Sequence, residues 1–236
     1  MADETNYRPL EGVKVLELST MVAAGSCGRM LADWGATVIK VEAESGDMFR
    51  NFPKTFLVPC TMDENPLFDN LNAGKRGIVL NLKTPEGMEA MHRLLAEADV
   101  FLTNTRVKAL KKLGLDYDTL NEKFPKLIFA QVLGYGEYGP EKDTAGFDVT
   151  CYMARGGVFG TTVNRGDAPM IPTNGFGDFQ VSLALASGIC AALFGRQRSG
   201  KGDKVTVSLH HAAVYALSTG LISAQYGNQY PKNRTE

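Results

Sequence analysis

Apolar residues fall in short, nearly continuous blocks separated by segments of helical period over the first two-thirds of the chain. Val13 to Ser19 (VKVLELS) and Ala36 to Glu42 (ATVIKVE) read as strands. Between them the small-residue stretch AAGSCG, residues 23–28, reads as a turn that leads into a helix through Trp34. Residues 43–73 carry Pro53, Pro59 and Pro66 and read as irregular. Arg76 to Leu82 (RGIVLNL) resumes the strand pattern, and Thr84-Pro85-Glu86 opens a helix. There Thr supplies a cap, Pro suits the first helical position and Glu favours the positive end. Met88, Met91 and Leu95 then recur at helical spacing. DVFLTN (99–104) and KLIFAQVLGYG (126–136) are two further strands, with short helices around Leu110 and Leu120 between them. Such apolar strands alternating with helices predict an α/β fold, a Rossmann-like parallel sheet with helices on both faces.

Past Gly134 the pattern changes. A glycine-rich loop to Gly146 precedes a short helix from Phe147, and a second loop, 156–177, delivers Asp178 at the head of a long helix. That helix is apolar nearly all round, which predicts an interior position. RQRSGKGDK (196–204) breaks it, KVTVSLH (204–210) alternates as a strand, and HAAVYALSTGLISAQY (211–226) reads as one last amphipathic helix before the polar PKNRTE.

With 236 residues, 44% apolar and 22% charged, the chain has ample length for a core, read here as one unit over 1–236. A net charge of −1 offers neither nucleic acid nor an anionic membrane a clustered basic face. No apolar run reads as long enough to span a bilayer, and MADETNYRPLEG lacks the basic start and apolar stretch of a signal peptide. Cys27, Cys60, Cys151 and Cys190 are scattered without CxxC spacing, which suggests neither zinc nor disulfides and fits reduced thiols in a cytoplasm.

Several motifs fail on inspection. GRQRSGK (195–201) has P-loop spacing, but Gly202 stands where Ser or Thr would hold magnesium, and the loop follows a helix instead of a strand. It reads as a helix C-terminal turn with basic residues at the negative end. AAGSCG supplies only Gly25 and Gly28 of the dinucleotide fingerprint, so a nicotinamide cofactor is not expected. A helix N-terminus after that strand still offers N–H groups to an anion. There is no GxSxG, and His92, His210 and His211 have no serine partner in sequence; His92 reads as exposed on a helix face. Two carboxylates stand beside glycines: Asp148 in AGFD and Asp178 in GFGD. Each suits a helix cap. Asp178, ionised at neutral pH by its ordinary pKa of about 3.9, is also a usable nucleophile toward an activated acyl carbon.

Six segments in order resemble the family III CoA-transferases: LEGVKVLELSTMVAAGSCGRMLADWGATVIKVE, NAGKRGIVLNLKTPEG, DVFLTN, LGYGEYGPEKDTAGFD, GFGD and RSGKGDKVTVSL. The likeness runs from Leu10 onward and is strongest to the branch that handles 2-hydroxyacyl-CoA. It implies a Rossmann-like large domain, with a smaller domain following in the longer family chains, and an interlocked homodimer. It implies covalent transfer of CoA from an acyl-CoA to a carboxylic acid with Asp178 as nucleophile, no metal and no permanently bound cofactor, coenzyme A being substrate. By the same resemblance Val22 and Ala23 face the pantetheine or acyl end. Leu80, Asn81, Leu82, Lys83, Asn104, Thr105, Arg106 and Lys112 follow the nucleotide, and Ala145, Gly146, Phe147 and Asp148 flank the thioester. The chain departs at Val22, where some relatives are polar, and at Ala43, where an arginine is found. The same fold serves 2-methylacyl-CoA racemases, whose pattern has histidine where Phe147 stands and a phenyl ring cannot shuttle protons. A non-catalytic CoA-binding module is the reading from another class.

Overall fold

The computed structural model describes residues 7–61 and 63–233. The head of the MADETNYRPLEG segment and the end of PKNRTE therefore lie outside the described residues. The chain runs β1 (Lys14–Leu18), α1 (Ala23–Asp33), β2 (Thr37–Glu42), α2 (Pro66–Asn72), β3 (Arg76–Val79), α3 (Pro85–Glu97), β4 (Val100–Thr103), α4 (Val107–Leu113) and α5 (Tyr117–Lys123). It continues through β5 (Ile128–Leu133), a π-helix (Asp148–Arg155), α6 (Val158–Thr161), α7 (Phe176–Ser199), β6 (Lys204–Ser208), α8 (Leu209–Ala216) and α9 (Ser218–Gln225). The six strands form one sheet in the order β3-β2-β1-β4-β5-β6, and every pairing is parallel.

The predicted α/β sheet is therefore present, and its burial explains it. Every residue of β4 and β5 is buried, as strands covered on both faces must be. One face packs Val15, Val38, Val100 and Leu102 against α1 and α7 through Leu31, Val181, Leu185 and Ile189. The other packs Leu16, Phe101 and Phe129 against Met91 and Leu95 of α3 and Leu110 and Leu120 of α4 and α5. Thr84 caps α3 as its sequence predicts, its hydroxyl accepting the Gly87 N–H at 3.2 Å. Gly200 ends α7 in the left-handed conformation with Arg196 and Arg198 in the last turn, so GRQRSGK is a helix terminus.

Several boundaries differ from the sequence reading. AAGSCG is not a turn but the opening of α1 itself, because only small side chains let α1 lie close on the sheet: a Cβ at Gly28 would overlap the Glu17 carboxylate. Residues 43–73 hold two 3-10 turns, Met48–Arg50 and Phe52–Phe56, and α2, so proline there punctuates structure that is present. β3 stops at Val79, and all four of its residues are exposed at the sheet edge. The expected last helix is two, α8 and α9, hinged at Leu217; α8 buries Leu209 and Ala213 while α9 buries nothing.

The largest correction concerns α7. It is long and apolar enough by length and composition to cross a bilayer, with a mean hydropathy of 1.4 in its most apolar window, contrary to the expectation that no run reaches that length. Only 44% of that window is buried. Val181, Leu185 and Ile189 face the core, whereas Phe179, Leu183 and Phe194 are exposed on the opposite side. An all-round apolar helix buried on one side only leaves the other as a surface that wants cover.

Candidate active site at the carboxyl edge of the sheet

The strand order reverses direction between β1 and β4, which opens a crevice at the carboxyl ends of those strands. The loops leaving both strands are tied together there. Asn104 Oδ1 accepts the Thr20 N–H at 3.1 Å, and its Nδ2 donates to the Thr20 carbonyl at 2.7 Å. Gln131 of β5 donates to the Thr105 carbonyl at 2.8 Å, fixing the same loop from the next strand. Arg106 stands at the N-cap of α4. The turn Leu80 to Lys83 follows β3, with Asn81 Oδ1 accepting the Lys83 N–H at 3.1 Å. Three strand spacings, about 14 Å, separate these two loops along one edge. Lys112 stands apart from both, exposed in the last turn of α4, about 9 Å along the helix from Arg106.

The turn after β1 is held by a buried ionic network that the sequence reading missed. Glu17 Oε1 lies 3.1 Å from Lys40 Nζ, Glu17 Oε2 lies 2.8 Å from Lys75 Nζ, and Lys40 Nζ is 2.9 Å from Asp47 Oδ2. Asp47 Oδ1 accepts the N–H of Met21, which sits at φ +62, at 3.0 Å. Lys40 also donates to the Ser19 carbonyl at 3.1 Å. Burial lowers the proton affinity of Lys40, but Glu17 and Asp47 outweigh it and hold the ammonium above its ordinary range. Lys75 falls below its ordinary range because burial exceeds the pull of Glu17. The network fixes the loop that delivers Val22 and Ala23 to the N-terminus of α1, and Val22 packs beside Gly175 at the mouth of α7.

At that mouth stands Asp178. It does not cap α7: Gly175, at φ +77, holds the N-cap position, and Asp178 lies in the first turn. Asp148 does not cap its own helix with its side chain either, because Phe147 is the N-cap of the π-helix. Instead the Asp148 carboxylate crosses to α7 and accepts the Gly177 N–H at 2.8 Å. Gly177 has to be glycine, since a Cβ there would overlap Tyr152 and Asp148. Burial raises the Asp148 pKa, and the amides of Gly177, Gly175, Asp178 and Phe176 pull against it. Gly146 and Gly134 bring their backbones into contact: a Cβ on Gly134 would lie 2.7 Å from the Gly146 Cα. That contact steers Ala145, Gly146 and the exposed Phe147 to the approach of Asp148.

Asp178 differs from its expected state. Burial first, and the Asp148 charge second, push its pKa up to about 7. The expectation of a fully ionised carboxylate at neutral pH is thus corrected, because sequence position showed the helix end but not the burial. No side chain among the described residues hydrogen-bonds to that carboxyl. Its pKa fixes a stability prediction. The folded chain holds the proton to about pH 7 and the unfolded chain only to about pH 3.9. This contribution to stability is therefore complete below about pH 4 and is lost as pH rises through about 7. Thermal midpoints should fall across that window and fall less in Asp178→Asn; Asp148, raised in the same direction, leaves part of the slope. Equal slopes in the two proteins would contradict the assignment.

His92 is half-buried, not exposed, and its pKa is lowered chiefly by burial. His210 and His211 open α8, the His211 N–H going to Ser208. All four cysteines are free thiols, and no cluster of metal-ligating side chains occurs among the described residues. An arginine does stand after β2, but it is Arg50, committed to Glu42 at 2.7 Å. A hollow of about 390 Å³ lies at Thr161, Asn164, Met170 and Tyr230, and one of about 200 Å³ at Tyr117, Gln131, Glu137 and Lys204. Asp178 lines neither of them.

Fold and site together define a doubly wound α/β protein with a half-buried carboxylate, Asp178, at the mouth of α7. The description CoA-transferase family III matches residues 10–236, and the chain belongs to that family. It is 52% identical to the (R)-2-hydroxy-4-methylpentanoate CoA-transferase of Clostridioides difficile, over 95% of this chain and 56% of that protein. It is 50% identical to the cinnamoyl-CoA:phenyllactate CoA-transferase of Clostridium sporogenes, over 99% of this chain and 57% of that protein. A crystal structure of a CAIB/BAIF family protein from Brucella suis superposes with a TM-score of 0.89 at 33% identity, over 97% of this chain and 60% of that one. The chain thus spans somewhat over half the length of the curated relatives it matches.

Proposed function

We propose that the protein moves CoA from an acyl-CoA to a carboxylic acid, of the 2-hydroxy acid class named in its two relatives, with Asp178 as the covalent nucleophile. The observation that carries this reading is the state of Asp178: at the mouth of α7 behind Gly175 and Gly177, with a proton affinity balanced near neutrality. A carboxylate short of hydrogen bonds is a stronger nucleophile than a solvated one, and a partly buried site limits hydrolysis. The ionised carboxylate attacks the thioester carbonyl carbon, the C–S bond breaks, and CoA leaves as thiolate. The thiolate then attacks the aspartyl carbonyl of the mixed anhydride, releasing the first acid as carboxylate and leaving an aspartyl-CoA thioester. The acceptor acid retraces both steps.

Lys83, Arg106 and Lys112 supply charge for the phosphates of CoA, with Leu80, Asn81, Leu82, Asn104 and Thr105 as neighbours along its length. Val22 and Ala23 contact the pantetheine or acyl end, and Ala145, Gly146, Phe147 and Asp148 border the thioester. The exposed Phe179, Leu183 and Phe194 of α7 and Leu221 and Ile222 of α9 support a homodimer as the assembly. The protein uses no metal or resident cofactor, and its partners are its two substrates and a second copy of itself. A racemase reading is disfavoured by Phe147, which cannot move an α-proton.

Incubation with an acyl-CoA followed by hydroxylamine tests the proposal by mass spectrometry. A hydroxamate on Asp178 is the expected result. CoA binding without any adduct would identify a non-catalytic module, and exchange of the α-hydrogen with deuterated water would identify a racemase.

A further inference from the structure

Asp148 serves the neighbouring helix and not its own. Its carboxylate lies on the first turn of α7, bonded to the Gly177 N–H at 2.8 Å, 29 positions along the chain. Its other oxygen, Oδ2, is buried without a hydrogen-bond partner. The glycine at 177 exists to admit this approach, since any side chain there would strike Asp148 and Tyr152. The residue after Gly177 is Asp178. A negative charge is therefore built in beside the nucleophile, and the α7 amides that would otherwise favour an anion at Asp178 already hold one.

We propose that Asp148 is the positioning residue of the site: its carboxylate fixes the first turn of α7, and its charge opposes that of Asp178 until Asp178 is acylated. The inference rests on the covalent reading of Asp178 given above. In the acylation step the Asp178 oxygen bonds to the acyl carbon and the C–S bond breaks. The negative charge leaves on the CoA sulfur, and no proton moves. The anhydride and the aspartyl thioester are both neutral at Asp178, so each relieves the repulsion that the free carboxylate feels. Asp148 thereby favours the covalent states over the resting one. Among the described residues Asp148 is the charged group that acts on Asp178. The other titratable neighbour is Tyr152, itself raised by burial and then by Asp148. From the start of α1, its N-cap Val22 lies beside Gly175, and Ala23 and Ser26 bond to Ser182, one turn on from Asp178; none of these three titrates in this range.

Two carboxyl titrations by 13C NMR on the 236-residue chain test this, assigned with Asp178→Asn. In the unmutated protein Asp148 must lose its proton at a lower pH than Asp178; the reverse order overturns the proposal and requires no variant to fold. In Asp148→Asn the Asp178 midpoint should move down by about one pH unit, as removal of a close like charge predicts. Asp148→Glu, which keeps the charge, should leave the midpoint raised. An unchanged midpoint in folded Asp148→Asn, judged by circular dichroism, makes Asp148 a structural cap only and also overturns the proposal. Hydroxylamine-trapped adduct should form roughly tenfold more slowly in Asp148→Asn, at saturating acyl-CoA and at pH values where Asp178 is ionised in both proteins. If the unmutated chain forms no adduct, the transfer reading fails while the NMR titrations still decide the role of Asp148.

Discussion

Asp178→Ala should abolish CoA transfer, by about four orders of magnitude or more, and leave the chain folded. The effect is large because neither the hydroxyls nor the thiol near Asp178 among the described residues can take over, and the Asp148 carboxylate is held on the Gly177 N–H. The hydroxyl of Ser182 is engaged by the carbonyls of Ala23 and Asp178, and that of Ser26 by the Val22 carbonyl. Cys27 is fully buried, and burial together with Glu17 pushes its thiol far above the thiolate range. Transfer assays with a panel of 2-hydroxy acids, run beside thermal melts, check both halves of the expectation. Activity within tenfold of the unmutated protein would remove Asp178 from the mechanism.

Glu17→Ala should be the most damaging single change to stability outside the hydrophobic core, costing about 3–5 kcal/mol. Glu17 is wholly buried between Lys40 and Lys75. Its removal leaves Lys75 buried with no opposing charge and Lys40 with Asp47 alone. Desolvated ammonium groups in that position either stay charged at high cost or lose their protons. Urea unfolding of the two proteins measures the difference, and a loss under about 1 kcal/mol would show that water reaches the cluster. Because Asp47 pins Met21, the same variant should loosen the turn that carries Val22 to the site.

Part of this was legible from residue order. The apolar blocks at β1, β2, β4 and β5 and the Thr84 cap gave the parallel sheet and its α3 connection directly, because strand burial and capping are local in their causes. The ionic network was readable in principle. Glu17 and Lys40 are the polar intrusions in the β1 and β2 blocks, and the sheet sets them side by side in register. Opposite charges inside adjacent apolar strands are the signal. Other features had no local signature. Asp148 and Gly177 meet only once β5, the π-helix and α7 are packed, so an acid at the start of one helix looked like a cap for that helix. The proton affinity of Asp178 depends on the same packing. α7 misled because apolar composition reports a wish to be covered, and the surface that covers Leu183 and Phe194 is not supplied by the described residues.

The bare margin at β3 has a consequence for how this protein behaves at high concentration. Its outward backbone groups from Arg76 to Val79 have no ladder partner among the described residues, and Ile78 and Val79 lie open beside them. Such a rim invites a strand from a neighbouring molecule to extend the sheet. Its shortness and the guanidinium of Arg76 discourage that growth, so clumping in storage should begin at this rim and respond to a charge added at Val79.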